Sequence, residues 1–165
     1  MYLSWTAGRL DRLHARIDAA RAALDAQLVR RASVAMELAT SSLLDPAASL
    51  LLDAAHAARQ AEDDQREVAE SQLSLALRAV FEEPAQVAAL MAEPGGEDAV
   101  RDLTAAVRRV PMARRFHNDA VRAARAVREH RLVRYFRLAG KAPFPLAFEM
   151  DDAPPPALTP EGAPA

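Results

Sequence analysis

Apolar residues at three- and four-residue steps dominate the first quarter of the chain. Leu10, Leu13, Ile17, Ala20, Leu24, Leu28, Ala35 and Leu38 fall on one side of a helix. The stripe runs to about Leu44, where Asp45-Pro46 closes it, because a residue before proline is pushed out of the α region. The same pair suits the next start, with Asp45 as N-cap and Pro46 at the first helical position. A second helix is predicted from 46 to about 61. In "AEDDQRE", Asp64 and Glu67 have the D-x-x-E spacing of a capping box, which predicts a third helix from 64 to about 83. One helix over 46–83 is the alternative, since no glycine or proline marks a turn there. Pro84 ends this region. "AQVAALMAE" predicts a short helix, and Pro94-Gly95-Gly96 a turn. The last long helix starts near Glu97 and Asp98, whose charges suit a helix N-terminus. Its predicted apolar face is Met112, Ala113, Phe116, Ala120, Ala123, Ala124 and Val127. Continued further, that phase would bury Arg131 and Arg134, so the helix is predicted to end near His130.

The pattern is therefore all-α. It is preceded by a stub over 1–8 and followed by "DDAPPPALTPEGAPA" over 151–165, a proline-rich tail expected to stay disordered. Composition agrees with helices: 165 residues, 51% hydrophobic with much alanine, five glycines and 5% aromatics. The lack of cysteine removes disulfides and thiolate metal sites. A net charge of −2 argues against nucleic acid as a partner. No run of 18 or more apolar residues is present, so the chain as given holds no complete membrane span and would behave as soluble.

Charge is segregated. Residues 45–99 hold twelve acidic and three basic side chains, and residues 100–141 hold twelve basic and three acidic. A basic helix for nucleic acid or anionic lipid is one reading. Acidic middle helices packed against a basic last helix in one bundle is the preferred one, because Arg114, Arg122, Arg125 and Arg128 occupy an ordinary polar face.

Candidate chemistry is sparse. Asp53-x-x-His56 matches half of a di-iron carboxylate motif, which needs a second such pair and two further glutamates. No second pair follows. The sequence lacks a nucleophile elbow, a phosphate-cradling glycine loop and an H-E-x-x-H zinc motif. No catalytic residue, cofactor site or metal ligand is predicted. Gln27 and Arg31 interrupt the apolar face of the first helix, which marks either an exposed stretch or a polar cluster inside the core.

At "LDAQLVRRASVAMEL" the chain resembles the LemA family. Asp25, Gln27, Leu28, Arg30 and Arg31 match that family's D-x-Q-L-x-R-R pattern. "AESQLSLAL" resembles its third-helix pattern through Glu70, Leu73, Ser74, Ala76 and Leu77. "ARRFHNDAV" resembles its last-helix signature through Ala113, Arg114, Asn118 and Val121, with Phe116 one place before the usual aromatic and His117 in place of the tyrosine. Phe148-Glu149 matches its closing phenylalanine-glutamate. Ser71 departs from the family's asparagine, the second tyrosine-asparagine pair is lost around Ala124-Arg125, and His130-Arg131 stand where phenylalanine-proline ends the last helix.

The resemblance covers about residues 9–150. It implies an elongated antiparallel up-and-down four-helix bundle, with three long helices as the alternative. It also implies an N-terminal membrane helix with the bundle on the cytoplasmic side, and no catalytic residue. "MYLSW" then reads as the exit of a membrane helix, with Trp5 and Tyr2 in the interfacial belt and Arg9, Arg12 and Arg16 inside. Within the bundle, Arg31 is expected to pair with Glu70, with Gln27 and Asn118 in the same polar region. A fourth helix returning to the membrane would bring residues 131–148 beside residues 5–20. Arg131, Arg134, Tyr135, Phe136, Arg137 and Lys141 are then candidates for lipid contact. The expected function is a membrane-associated, non-enzymatic interaction or scaffold module with a protein partner. A peripheral anionic-lipid-binding protein is the alternative.

Overall fold

The computed structural model describes residues 2–41, 43–44, 48–129 and 146–159. Among them it is all-helical, with five α-helices and one 3-10 turn. These are α1 (Tyr2–Thr40), α2 (Ala48–Gln60), α3 (Asp63–Val80), α4 (Pro84–Ala92), α5 (Gly96–Glu129) and the turn Pro156–Leu158. Five helices stand in place of the expected four-helix bundle, the short apolar segment after Pro84 forming the helix its pattern predicts. The proline stands at its N-terminus, where no amide hydrogen is needed.

Several boundaries depart from the sequence pattern for local reasons. Helix α1 begins at Tyr2, so residues 2–8 are its first turns rather than a separate stub. It ends at Thr40, four residues early. The Thr40 hydroxyl donates to the Met36 and Glu37 carbonyls and the Ser41 hydroxyl to Leu38, so the side chains at this end bond back onto the last turn. The expected Asp45-Pro46 boundary lies outside the described residues. Helices α2 and α3 are separate, so 46–83 is not one helix. The capping box is not formed: Glu62 is the N-cap and makes no side-chain bond. The α4–α5 turn needs both its glycines. Gly95 has φ of 81°, and a Cβ on Gly96 would collide with the Leu90 carbonyl oxygen.

The chain divides into two compact units. Unit 1 comprises Met1–Asp25 and Met112–Phe148; unit 2 comprises Ala26–Pro111 and Glu149–Ala165. Unit 1 has a small core of Ile17, Ala120, Val121 and Ala124, flanked by Leu13 and Ala20. Unit 2 has the larger core. Ala32, Ala35 and Leu38 of α1, Leu51 and Ala55 of α2, Leu73 and Leu77 of α3, Val87 and Leu90 of α4, and Leu103 and Val107 of α5 all belong to it.

The buried stripe of α5 differs from the predicted one. Val100, Leu103, Val107, Val110, His117, Ala120, Val121 and Ala124 are buried, whereas Met112 and Phe116 are 58% and 62% exposed. The helix turns a polar imidazole inward at a position where the apolar pattern selects its phenylalanine neighbour. The tail also departs from expectation. Residues 151–159 are packed, with Pro155 buried and Leu158 6% exposed within the unit 2 core. Residues 160–165 lie outside the described residues.

Candidate functional site

In unit 2, α1 and α3 meet around a buried ion pair. Arg31 is 2% exposed and Glu70 1%. The Arg31 guanidinium donates to the Glu70 carboxylate at 2.7 Å, to the Glu70 carbonyl at 3.0 Å and to the Ser74 hydroxyl at 2.8 Å. Ser74 in turn donates to the Glu70 carbonyl at 3.1 Å, and the Arg66 Nε lies 3.6 Å from the other Glu70 carboxylate oxygen. Removing both ions from water is costly, and charge-assisted hydrogen bonds offset that cost only at good geometry. These contacts fix one register of α1 on α3.

Of the four residues expected in that cluster, the structure brings Arg31 and Glu70 together and adds Ser74. Gln27, one turn before Arg31, has its buried Oε1 without a protein hydrogen-bond partner. Asn118 has a different role. In unit 1 its amide donates to the Phe148 carbonyl at 3.1 Å and accepts from the Phe148 amide at 2.8 Å. A side-chain amide has the same donor and acceptor as a peptide group, so Asn118 pairs with an extended backbone as a neighbouring strand would.

His117 reinforces this clasp. Its Nε2–H donates to the Leu146 carbonyl at 3.3 Å, which leaves Nδ1 as a buried lone pair with no protein partner. Burial pushes the His117 pKa below the usual imidazole value, against the raising effect of the Leu146 carbonyl, and the Arg21 cation adds to the lowering. Arg21 also stands 5.1 Å from the centroid of the Phe148 ring, a cation–π distance. Phe148 is thereby held by backbone and ring.

The chain continues from Phe148 onto unit 2. The Glu149 amide donates to Glu67 Oε1 at 2.8 Å, so Glu67 binds this segment instead of capping α3. The Asp151 amide donates to the Ser71 hydroxyl at 3.1 Å. Arg78 holds the Asp151 carboxylate through both terminal nitrogens and donates to the Ala153 carbonyl at 3.0 Å. The Arg78 guanidinium keeps the Asp151 carboxyl below its usual range. Sequence reading missed this arrangement. The resemblance at Phe148-Glu149 marked the segment, but nothing marked its partners.

The remaining candidates are placed as follows. Asp53 and His56 are exposed, and His56 lines an open groove of about 570 Å³ with Glu37 and Arg59. Arg131, Arg134, Tyr135, Phe136, Arg137 and Lys141 lie outside the described residues, as does most of the expected contact between 131–148 and 5–20. Of that segment Leu146–Phe148 is described, against Arg21, His117 and Asn118. Among the described residues, no cluster of His, Asp and Glu could hold a metal ion, and no helix is long and apolar enough to cross a membrane. No protein family, curated protein or solved structure matches the chain.

Proposed function

We propose that the chain is a non-enzymatic helical module that docks a partner protein while associated with a membrane. The observation that carries this reading is on α5. Met112 and Phe116, one turn apart, are 58% and 62% exposed. Exposed Arg115 and Arg122 lie on the same stretch of helix, with Asp119 paired to Arg122. Large apolar side chains rimmed by charge are the composition of a contact surface, and an apolar helix with acidic flanks is the complementary partner. The resemblance to the LemA family supplies the membrane association and the cytoplasmic orientation.

The second reading, binding to anionic lipid, draws on the same basic helix and on residues 131–148. Arginines beside apolar groups suit the headgroup boundary. One pair of measurements separates the two. A photoreactive phenylalanine at position 116, in the chain's own cell, should give a saturable protein adduct that Met112→Asp removes, while the same probe at exposed Val68 should not. Vesicles rich in phosphatidylserine should bind the purified chain weakly and without dependence on Phe116. Absence of a protein adduct, with salt-sensitive vesicle binding lost in Phe116→Ser, would replace the first reading by the second. Recovery of the native protein from the membrane fraction checks its location.

A further inference from the structure

We propose that the face of α3 bearing Glu67, Ser71 and Arg78, with the hollow that takes Leu158, is a recognition groove. Its ligand is an extended segment of another protein, acidic at its start and proline-rich after it, for which residues 149–159 are the built-in competitor. This site lies wholly in unit 2 and does not use Met112 or Phe116.

The groove reads backbone. Glu67 and Ser71 are four residues apart on α3, a rise of about 6 Å. They accept the amides of Glu149 and Asp151, two residues apart in an extended chain, a rise of about 6.6 Å. The two spacings match, so helix and segment run in the same direction and alternate amides meet successive turns. Arg78 continues the series, its long side chain leaning toward the helix N-terminus to reach Asp151 and the Ala153 carbonyl. Contacts to amides and carbonyls accept many sequences. Selectivity comes from two side chains, the carboxylate at Asp151 that pairs with Arg78 and the leucine seven positions on that enters the core.

The prolines between them suit an intermolecular ligand. Pro154 and Pro155 preset an extended chain and Pro156 opens the 3-10 turn that carries Leu158, so little conformational freedom is lost on docking. Further room lies beside the docked leucine. Ala157, Leu158 and Thr159 form one wall of an open groove of about 530 Å³, whose other walls include Val87, Met91 and Arg101.

The competitor's ion pair is partly exposed. Arg78 and Asp151 are 24% and 40% exposed, so water screens their attraction. Covalent attachment, which raises the segment's effective concentration, sustains its docking. An external segment competes once the attached one is weakened.

The test uses the full chain and a fluorescein-labelled synthetic peptide of residues 149–159. Chains carrying Asp151→Lys with Leu158→Asp should bind it at least about tenfold more tightly than wild type, by anisotropy. Adding Arg78→Glu to a chain with Asp151→Asn and Leu158→Asp, where no pair forms within the chain, should abolish binding, and a peptide carrying Asp151→Lys should restore it. The single variant Asp151→Asn keeps Leu158 in the core and should show a smaller gain. It decides the matter if the double variant loses its helical circular dichroism. A folded Asp151→Asn chain that binds no peptide up to about 1 mM overturns the proposal. Binding indifferent to Arg78→Glu overturns it as well. A wild-type dimer that dissociates on Leu158→Asp would assign the groove to a second copy, and would also overturn it.

Discussion

Both units bury polar side chains, and they do so in opposite ways. Unit 2 buries an ion pair, Arg31 with Glu70, that joins two helices. Unit 1 buries neutral groups, Asn118 and the His117 imidazole, that join a helix to an extended backbone. An ion pair tolerates the loss of neither partner, since the survivor is a charge without water. Neutral groups cost less to strand, but an imidazole brings a titration with it. Unit 2 is therefore sensitive to which residues it holds, and unit 1 to the pH around it.

The two units differ most at Arg31. Arg31→Ala strands the Glu70 carboxylate and should destabilise the protein by about 3 kcal/mol or more in denaturant unfolding. Replacing both partners, Arg31→Met with Glu70→Leu, should stay within about 1 kcal/mol of wild type, because neither charge is then left behind. If the single and double variants lose stability equally, the ion pair is not what holds α1 on α3. In unit 1, Asn118→Ala leaves the buried Phe148 amide and carbonyl without partners and should cost about 2 kcal/mol. An unchanged midpoint would remove Asn118 from the clasp.

Acidification should reach unit 1 at a higher pH than unit 2. The His117 pKa is lowered in the folded protein from the ordinary 6.5. Between its folded and unfolded values, the unfolded chain binds the extra proton. Stability therefore falls as pH drops through 6.5, and levels off once the folded imidazole also protonates. Thermal unfolding of wild type should show this slope, and His117→Gln should flatten it. Asp151 behaves in the same sense at lower pH. Its carboxyl is lowered from 3.8, so its contribution is complete above that value and is lost as pH falls through the folded one. The smallest effect belongs to its partner. Arg78→Gln should cost about 0.5 kcal/mol, and less as salt is raised, since the pair is partly exposed.

What the sequence disclosed follows physical lines. The long helices were legible because their apolar stripes repeat over many turns. Arg31 stood out because a guanidinium on such a stripe needs a partner, and Glu70 lay within the pattern that resembles the LemA family. His117 did not stand out from periodicity. A stripe drawn on apolar residues selects Phe116 beside it, although the family resemblance had a tyrosine at the histidine's place. The docked segment was the least legible. Its partners Glu67, Ser71 and Arg78 are ordinary polar residues of α3, separated from it by 73 to 82 positions. Its prolines and aspartates are the composition of an unfolded tail. Side-chain acceptors that bind backbone amides leave no mark in the sequence of the backbone they bind.

Docking of Leu146–Thr159 underlies both the clasp of unit 1 and the groove of unit 2. Amide hydrogen exchange of the wild-type chain, resolved by residue, measures this. Phe148, Glu149 and Asp151 donate their amides to Asn118, Glu67 and Ser71 and should exchange far more slowly than an unstructured peptide. Phe148 should lose that protection in Asn118→Ala. Exchange at all three amides as fast as in the free 149–159 or 146–159 peptide would contradict the account.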